Sequence, residues 1–299
     1  MKWIELSPNF RCNLRCVGCL PGKGEVPGAD LAGEQVIHWL RRGRSEGATG
    51  LWLGGGEPTL RRDLVALVTA ARRLGYAHVK LQTNGLLLAY PELTARLVDA
   101  GLTEVSLALR SPRASVHDAL VRRAGAWEGL ERALGVLGAH PGLALEGDVL
   151  VSRSNAADLP ATVAHYAPRG VRSFSVWVLC RLLDDEATRA ELVPYAEVVP
   201  PLVQAVARAD ELGVPLTSLH TPACVVPPEV RSHLYYPPEL DLLVVNADGQ
   251  SFWLEESPME GGSPLPSCER CAWRPRCLGP RADYLDVFGP SAFVPVDEP

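Results

Sequence analysis

Short β-favouring runs alternate with longer stretches of helical period through the first two thirds of the chain, and this alternation restricts the fold more than any other feature. Strands are expected at 3–6, 51–53, 79–82, 105–109, 145–151 and 174–179, and helices at 31–46, 61–74, 91–100, 126–137 and 159–167. Gly75, Gly101 and Gly170 follow three of these helices, where a left-handed residue ends the turn. Strand and helix in series build a parallel sheet through right-handed crossovers. The expected class is therefore α/β, a partial (β/α)6 barrel over residues 1–215. In such a barrel the loops that leave the C-terminal ends of the strands share one rim, and reactive groups collect there.

Three motifs fall on that rim. Cys12, Cys16 and Cys19, spaced C-x3-C-x2-C, follow the first strand; Gly54-Gly55-Gly56-Glu57-Pro58 follows the second; Thr83-Asn84-Gly85 follows the third. Three thiolates this close ligate three irons of a [4Fe-4S] cube and leave the fourth iron open. A zinc knuckle would need a fourth local ligand, and none lies near residue 19. A disulfide framework is disfavoured by eight cysteines in 299 residues behind an N-terminus with no apolar signal region. Glycines at 54–56 let backbone approach a ligand, and Glu57 offers a carboxylate to an ammonium group.

The last third holds a second cysteine set. Cys268, Cys271 and Cys277 read C-x2-C-x5-C, and Cys224 stands upstream after a β-type segment at 214–219. Between them, apolar runs at 242–245 and 251–254 flank the turn Asn246-Ala247-Asp248-Gly249 and read as a β-hairpin. Residues 216–299 are thus expected to form a small hairpin and cysteine-rich domain. Four thiolates suit a tetrahedral zinc ribbon and a fully ligated [4Fe-4S] cluster equally by spacing, with His220 a minor alternative to Cys224 as fourth ligand. Cys180 belongs to neither set. It ends the sixth strand at the barrel mouth, as a small buried hydrophobe or as a hydrogen-atom donor. His117-Asp118 stands after the fourth strand, as an acid–base pair or as capping chemistry.

The cysteine triad together with Gly54–Glu57 resembles the radical S-adenosylmethionine (radical SAM) superfamily, and the C-terminal cysteines resemble its SPASM or shortened twitch extension. The resemblance implies a TIM-like partial barrel that cleaves S-adenosylmethionine reductively to a 5′-deoxyadenosyl radical, which abstracts a substrate hydrogen. Gly54, Gly55, Gly56 and Glu57 would hold the methionyl amine, Thr83 and Asn84 would pass beneath the cofactor, and Ser106 and Arg153, with Asn155, would meet its ribose and carboxylate. Family members carry an aromatic residue before the third cysteine to pack beside adenine; here it is Gly18, so Phe10 or Val17 is expected to take that role. Implied cofactors are S-adenosylmethionine, its [4Fe-4S] cluster and an auxiliary [4Fe-4S] cluster at Cys224, Cys268, Cys271 and Cys277. Implied partners are a peptide or small-molecule substrate, an electron donor such as flavodoxin or ferredoxin, and a separate leader-peptide-binding protein where the substrate is a ribosomal peptide, because no recognition segment precedes the first strand. The favoured outcome is a net oxidation, dehydrogenation or cross-linking, by a peptide-modifying oxidoreductase; the rivals are epimerisation with Cys180 as donor and a non-catalytic electron carrier.

Charge agrees with a cytoplasmic enzyme. Lys and Arg total 29 against 35 Asp and Glu, a net charge of −6, and the arginines scatter in pairs such as Arg41-Arg42 and Arg122-Arg123. The absence of a basic stripe disfavours nucleic acid as a partner, and no apolar run reaches the roughly 18 residues a membrane span needs.

Overall fold

A computed structural model of the protein describes residues 1–19, 30–257 and 260–297. Ten strands among them form one sheet: β1 Trp3–Leu6, β2 Gly50–Leu53, β3 His78–Thr83, β4 Glu104–Leu109, β5 Ala144–Val151, β6 Val171–Val178, β7 Leu216–Leu219, β8 Leu234–Tyr235, β9 Leu242–Val245 and β10 Ser251–Trp253. Their order is β10-β9-β1-β2-β3-β4-β5-β6-β7-β8, and every pair is parallel except β9 with β10. The sheet curls into the expected half-barrel.

The helices are α1 Gly33–Ser45, α2 Leu64–Arg73, α3 Pro91–Asp99, α4 Ala114–Val121, α5 Ala126–Leu137, α6 Leu159–Tyr166, α7 Glu186–Glu191, α8 Tyr195–Leu212, α9 Pro237–Leu240 and α10 Ala282–Phe288, of which α2, α3, α5 and α6 pack on the outer face of the sheet. Outward residues of β3, β4 and β5, such as Val79, Leu81, Val105, Leu107, Leu145 and Val149, share one buried cluster with Leu67, Leu97, Leu130 and Val163 from the helices. The inward faces of the same strands are polar. Lys80 and Gln82 lie beside Glu104 and Ser106, and Glu146 and Asp148 continue the row. Period-two alternation here separates a helix-covered core from a hydrophilic barrel interior.

The expected boundary at residue 215 does not separate two sheets. β7 and β8 extend the β6 edge, while β9 pairs in parallel with β1 on the opposite edge. The hairpin at 242–254 forms as expected, closed by Gly249 N–H donating to Asn246 O at 2.9 Å, but as an extension of the barrel sheet. No helix among the described residues is long and apolar enough to cross a membrane.

Candidate active site

The cysteine loop leaves β1 and lies against the C-terminal end of α4. Arg15 N–H and Val17 N–H donate to the carbonyls of Val121 and Leu120 at 3.3 and 2.9 Å, and Arg123 Nη1 donates to Asn13 O at 3.1 Å. Leu14 plugs the loop into Val121 and Ala126, with Cys12 and Cys16 packed around it. All three cysteines are half-buried thiols outside any disulfide. Leu14 N–H points at Cys12 Sγ from 3.4 Å, Asn84 Nδ2 reaches the same sulfur at 3.9 Å, and the guanidinium of Arg110 hydrogen-bonds Cys16. Burial pushes the Cys12 and Cys16 thiols up, and the donors aimed at them oppose it. A thiolate needs such donors or a metal to be held in this environment.

The glycine motif packs first against the protein's own chain. A side chain on Gly56 would strike the backbone of Phe10 and Arg11, and one on Gly55 would come within 2.8 Å of Asn9 O. Gly56 N–H and Glu57 N–H donate to the Asn9 and Arg11 carbonyls at 2.8 Å, so bare backbone here seats the lead-in to the cysteines. Gly54 faces the other way: a Cβ on it would lie 3.2 Å from both Glu5 Oε1 and Gln82 Oε1, in the barrel interior.

Glu57 is 1% exposed, and its carboxylate faces donors of the protein rather than open space. Thr59 N–H, the Thr59 hydroxyl and the Thr83 hydroxyl donate to Oε1, the first at 3.0 Å and the last at 2.7 Å; Asn84 N–H donates to Oε2 at 2.9 Å. Burial pushes this carboxyl up, and the four donors oppose it. The group ties the β2 loop to the end of β3, where Asn84 Nδ2 in turn donates to Asn13 Oδ1 at 2.7 Å. Thr83, Asn84 and the cysteine loop thereby form one hydrogen-bonded unit.

Other expected site residues sit apart from this unit. Ser106 is fully buried and donates to Asp148 Oδ2 at 2.5 Å, which Gln82 Nε2 also meets at 2.7 Å. Arg153 leans away from the mouth onto α8, donating to Glu197 and to Leu192 O, because its strand end lies beside that helix. Asn155 Nδ2 donates to the Arg110 and Leu150 carbonyls, closing a turn. Asp118 accepts from Gly125 N–H and Trp127 N–H and so caps α5. His117 is 3% exposed within α4; burial and Arg110 depress its pKa to about 4, and its Nδ1 has no partner.

Two residues missed in the sequence stand closer. Arg110, directly after β4, was findable by the strand-end rule that located the cysteines. Leu179, after β6, fills the space a side chain at Gly18 would need. Val17, Arg110, Leu120, Leu150, Ser152 and Leu179 line a recess beside the triad. Cys180, next in the chain, is half-buried, and burial pushes its thiol up to about 11.

The C-terminal cysteines converge. Cys224, Cys268, Cys271 and Cys277 line one pocket with Trp273 and Phe293. Gly279 N–H and Val296 N–H approach Cys277 Sγ and Cys271 Sγ at 3.4 Å, and the Tyr236 hydroxyl and Ala223 N–H also hydrogen-bond Cys277. Burial and the three neighbouring thiols push Cys224 up to about 12. His220 lies outside this pocket, against Trp177 and Glu260. Among the described residues no three His, Cys, Asp or Glu side chains close on a point one metal ion would fill.

A parallel half-barrel with a three-thiol loop on its C-terminal rim, braced by the loops after β2 and β3, is the architecture of a cofactor-dependent barrel enzyme. Residues 6–140 match the radical SAM superfamily, and this part of the chain is a radical SAM domain. That superfamily uses a [4Fe-4S] cluster and S-adenosylmethionine, and the half-buried triad with its sulfur-directed donors fits such a cluster. Among curated proteins, a GTP 3′,8-cyclase of Pelotomaculum thermopropionicum is 36% identical over 148 residues, covering 47% of this chain and 45% of that protein. Molybdenum cofactor biosynthesis protein 1 of Bos taurus is 34% identical over 140 residues, 44% of this chain and 22% of its own. The chain thus spans less than half the length of these relatives. Among solved structures, anSMEcpe with bound AdoMet aligns over 99% of this chain and 93% of its own, with TM-score 0.71 and 15% identity. Streptococcus suis SuiB bound to S-adenosylmethionine aligns over 84% and 59%, with TM-score 0.65 and 15% identity. At that identity the likeness is one of fold.

Proposed function

We propose that this protein is a radical SAM enzyme that oxidises a peptide or small natural-product substrate, with a second iron–sulfur cluster at Cys224, Cys268, Cys271 and Cys277. The carrying observation is the C-terminal pocket: four thiols line it with N–H and O–H donors aimed at the sulfurs, and four thiolates fully ligate one [4Fe-4S] cube. When bound, the cofactor pair at the triad supplies a 5′-deoxyadenosyl radical. Cys12, Cys16 and Cys19 would hold the cluster; Asn84 and Arg110 face the Cys12 and Cys16 sulfurs; and Glu57 fixes the loop through Asn84.

Anaerobically reconstituted protein, given reductant and S-adenosylmethionine, should release 5′-deoxyadenosine. An electron carrier would release none. The relatives' GTP chemistry is a second reading, and it rests on the barrel half that the match covers. The interior carboxylates Glu5, Glu146 and Asp148 disfavour a triphosphate there, so GTP should not be consumed. Epimerisation is the other rival. A thiol at Cys180 held protonated to about pH 11 suits hydrogen-atom donation, and that reading predicts a product of unchanged mass in ordinary water, whereas oxidation removes two hydrogens.

A further inference from the structure

Below the cysteine rim the barrel interior holds more hydrogen-bonding capacity than it uses. Trp52 Nε1, both ring nitrogens of His220 and Glu260 Oε2 are buried and without a hydrogen-bond partner. The His220 side chain is 7% exposed. It follows β7 at φ +58°, a left-handed conformation uncommon for a residue with a Cβ. Its ring lies against Trp177, centroids 5.1 Å apart, and its Nδ1 is 2.8 Å from Glu260 Oε2 without the alignment of a hydrogen bond.

Charge in this space is unbalanced. Glu5 projects inward from β1, where burial pushes its carboxyl up to about 7 despite Lys80, and Asp148 and Glu260 add to the push. The nearby cations are committed elsewhere. Lys80 pairs with Glu146 and lies over the Trp52 ring, and Arg281 is bound to the Val178 and Leu179 carbonyls and to Asp283. Two carboxylates, Glu5 beside Trp52 and Glu260 facing the His220 imidazole that lies against Trp177, are complementary to an organic cation.

We propose that Glu5, Glu260 and His220, with Trp52 and Trp177, form a substrate subsite for an ammonium or guanidinium group. The proposal rests on the enzymatic reading above, since it names the substrate class of the same barrel. Glu260 takes the charge, Glu5 ionises as the cation enters, His220 accepts an N–H from the bound group, and the indoles cover its alkyl stem.

The probes are n-butylammonium and n-butylguanidinium, with n-butanol as neutral control, titrated by calorimetry into anaerobically reconstituted protein saturated with S-adenosylmethionine. At least one cation should bind about tenfold or more tightly than butanol, and Glu260→Gln and Glu5→Gln should each erase about tenfold of that affinity. The stronger cation identifies the group. Should Glu5→Gln fail to fold, Glu260→Gln, on a loop, carries the test alone. Equal affinity for cations and butanol, or full affinity in Glu260→Gln, would overturn the proposal. So would competition between the amines and S-adenosylmethionine, because the cation held would then be the cofactor's own. Calorimetry needs no turnover, so failure to release 5′-deoxyadenosine would defeat the enzymatic reading without touching this result.

Discussion

Replacing Glu57 by Ala tests whether this residue is chiefly a strut or a ligand. The carboxylate satisfies two backbone donors, Thr59 N–H and Asn84 N–H, and two hydroxyls, all in a position 1% exposed. The hydroxyls of Thr59 and Thr83 can rotate to other acceptors; the two amides cannot. An orphaned buried donor costs about 1–3 kcal/mol, so losing both amide partners should cost about 4 kcal/mol. For a chain of this size that corresponds to a fall of about 8–16 °C in melting midpoint. Scanning calorimetry of metal-free protein isolates the structural part, because no cofactor is there to contribute. Thr83→Val should follow in the same direction by a smaller step, since it removes one donor to Glu57 and the acceptor of Gly85 N–H. If metal-free Glu57→Ala melts within about 2 °C of the parent and loses only S-adenosylmethionine affinity, the carboxylate belongs to the cofactor and the strut argument fails.

Three further outcomes follow. Reconstituted protein should carry about eight irons, and replacing Cys12, Cys16 and Cys19 by Ala should leave about half; zinc in the C-terminal site with only four irons counts against the auxiliary cluster. Gly56→Ala should cost the triad its iron, because the new methyl meets the backbone of Phe10 and Arg11, whereas Gly135→Ala, with open space around it in α5, should hold iron normally and gain up to about 1 kcal/mol. Finally, Glu5 is raised to about 7 from 4.5, so the folded state favours its neutral form, and the stability this provides below about pH 4.5 is lost as pH rises through 7. Glu5→Gln should therefore match the parent's melting midpoint at pH 5 and exceed it at pH 8; an equal difference at both values argues that Glu5 is not buried as described.

The barrel was largely legible because its signals are local. β1 and α5 have the expected bounds, and Gly75, Gly101 and Gly170 all take positive φ where helices end. α8 was missed because Pro200 and Pro201 lie inside it. The carbonyls those prolines leave without partners belong to Ala196 and Glu197, both on the exposed side, where water replaces the lost bonds. The pairing of β9 with β1 joins strands more than two hundred residues apart, and no local pattern encodes a partner at that range. At the site, residue types announced the cysteines, but side-chain direction did not: Arg153 turns to α8, Glu57 turns inward, and the left-handed backbone of His220 has no sequence signature.

The edge position of β9 has a consequence for synthesis. As the chain emerges, β1 and β2 can pair once residue 53 is out, yet the other edge of β1 stays bare until β9 is made. Throughout that interval an open row of β1 backbone groups stays unpaired, and the thiols of Cys12 and Cys16 follow in the loop that leaves the strand. Unpaired edges invite intermolecular strand addition, and contacts this distant in sequence slow folding. A nascent chain of this kind is therefore vulnerable to aggregation and to stray thiol oxidation together, and slower translation between β8 and β9 should lower the yield of usable protein.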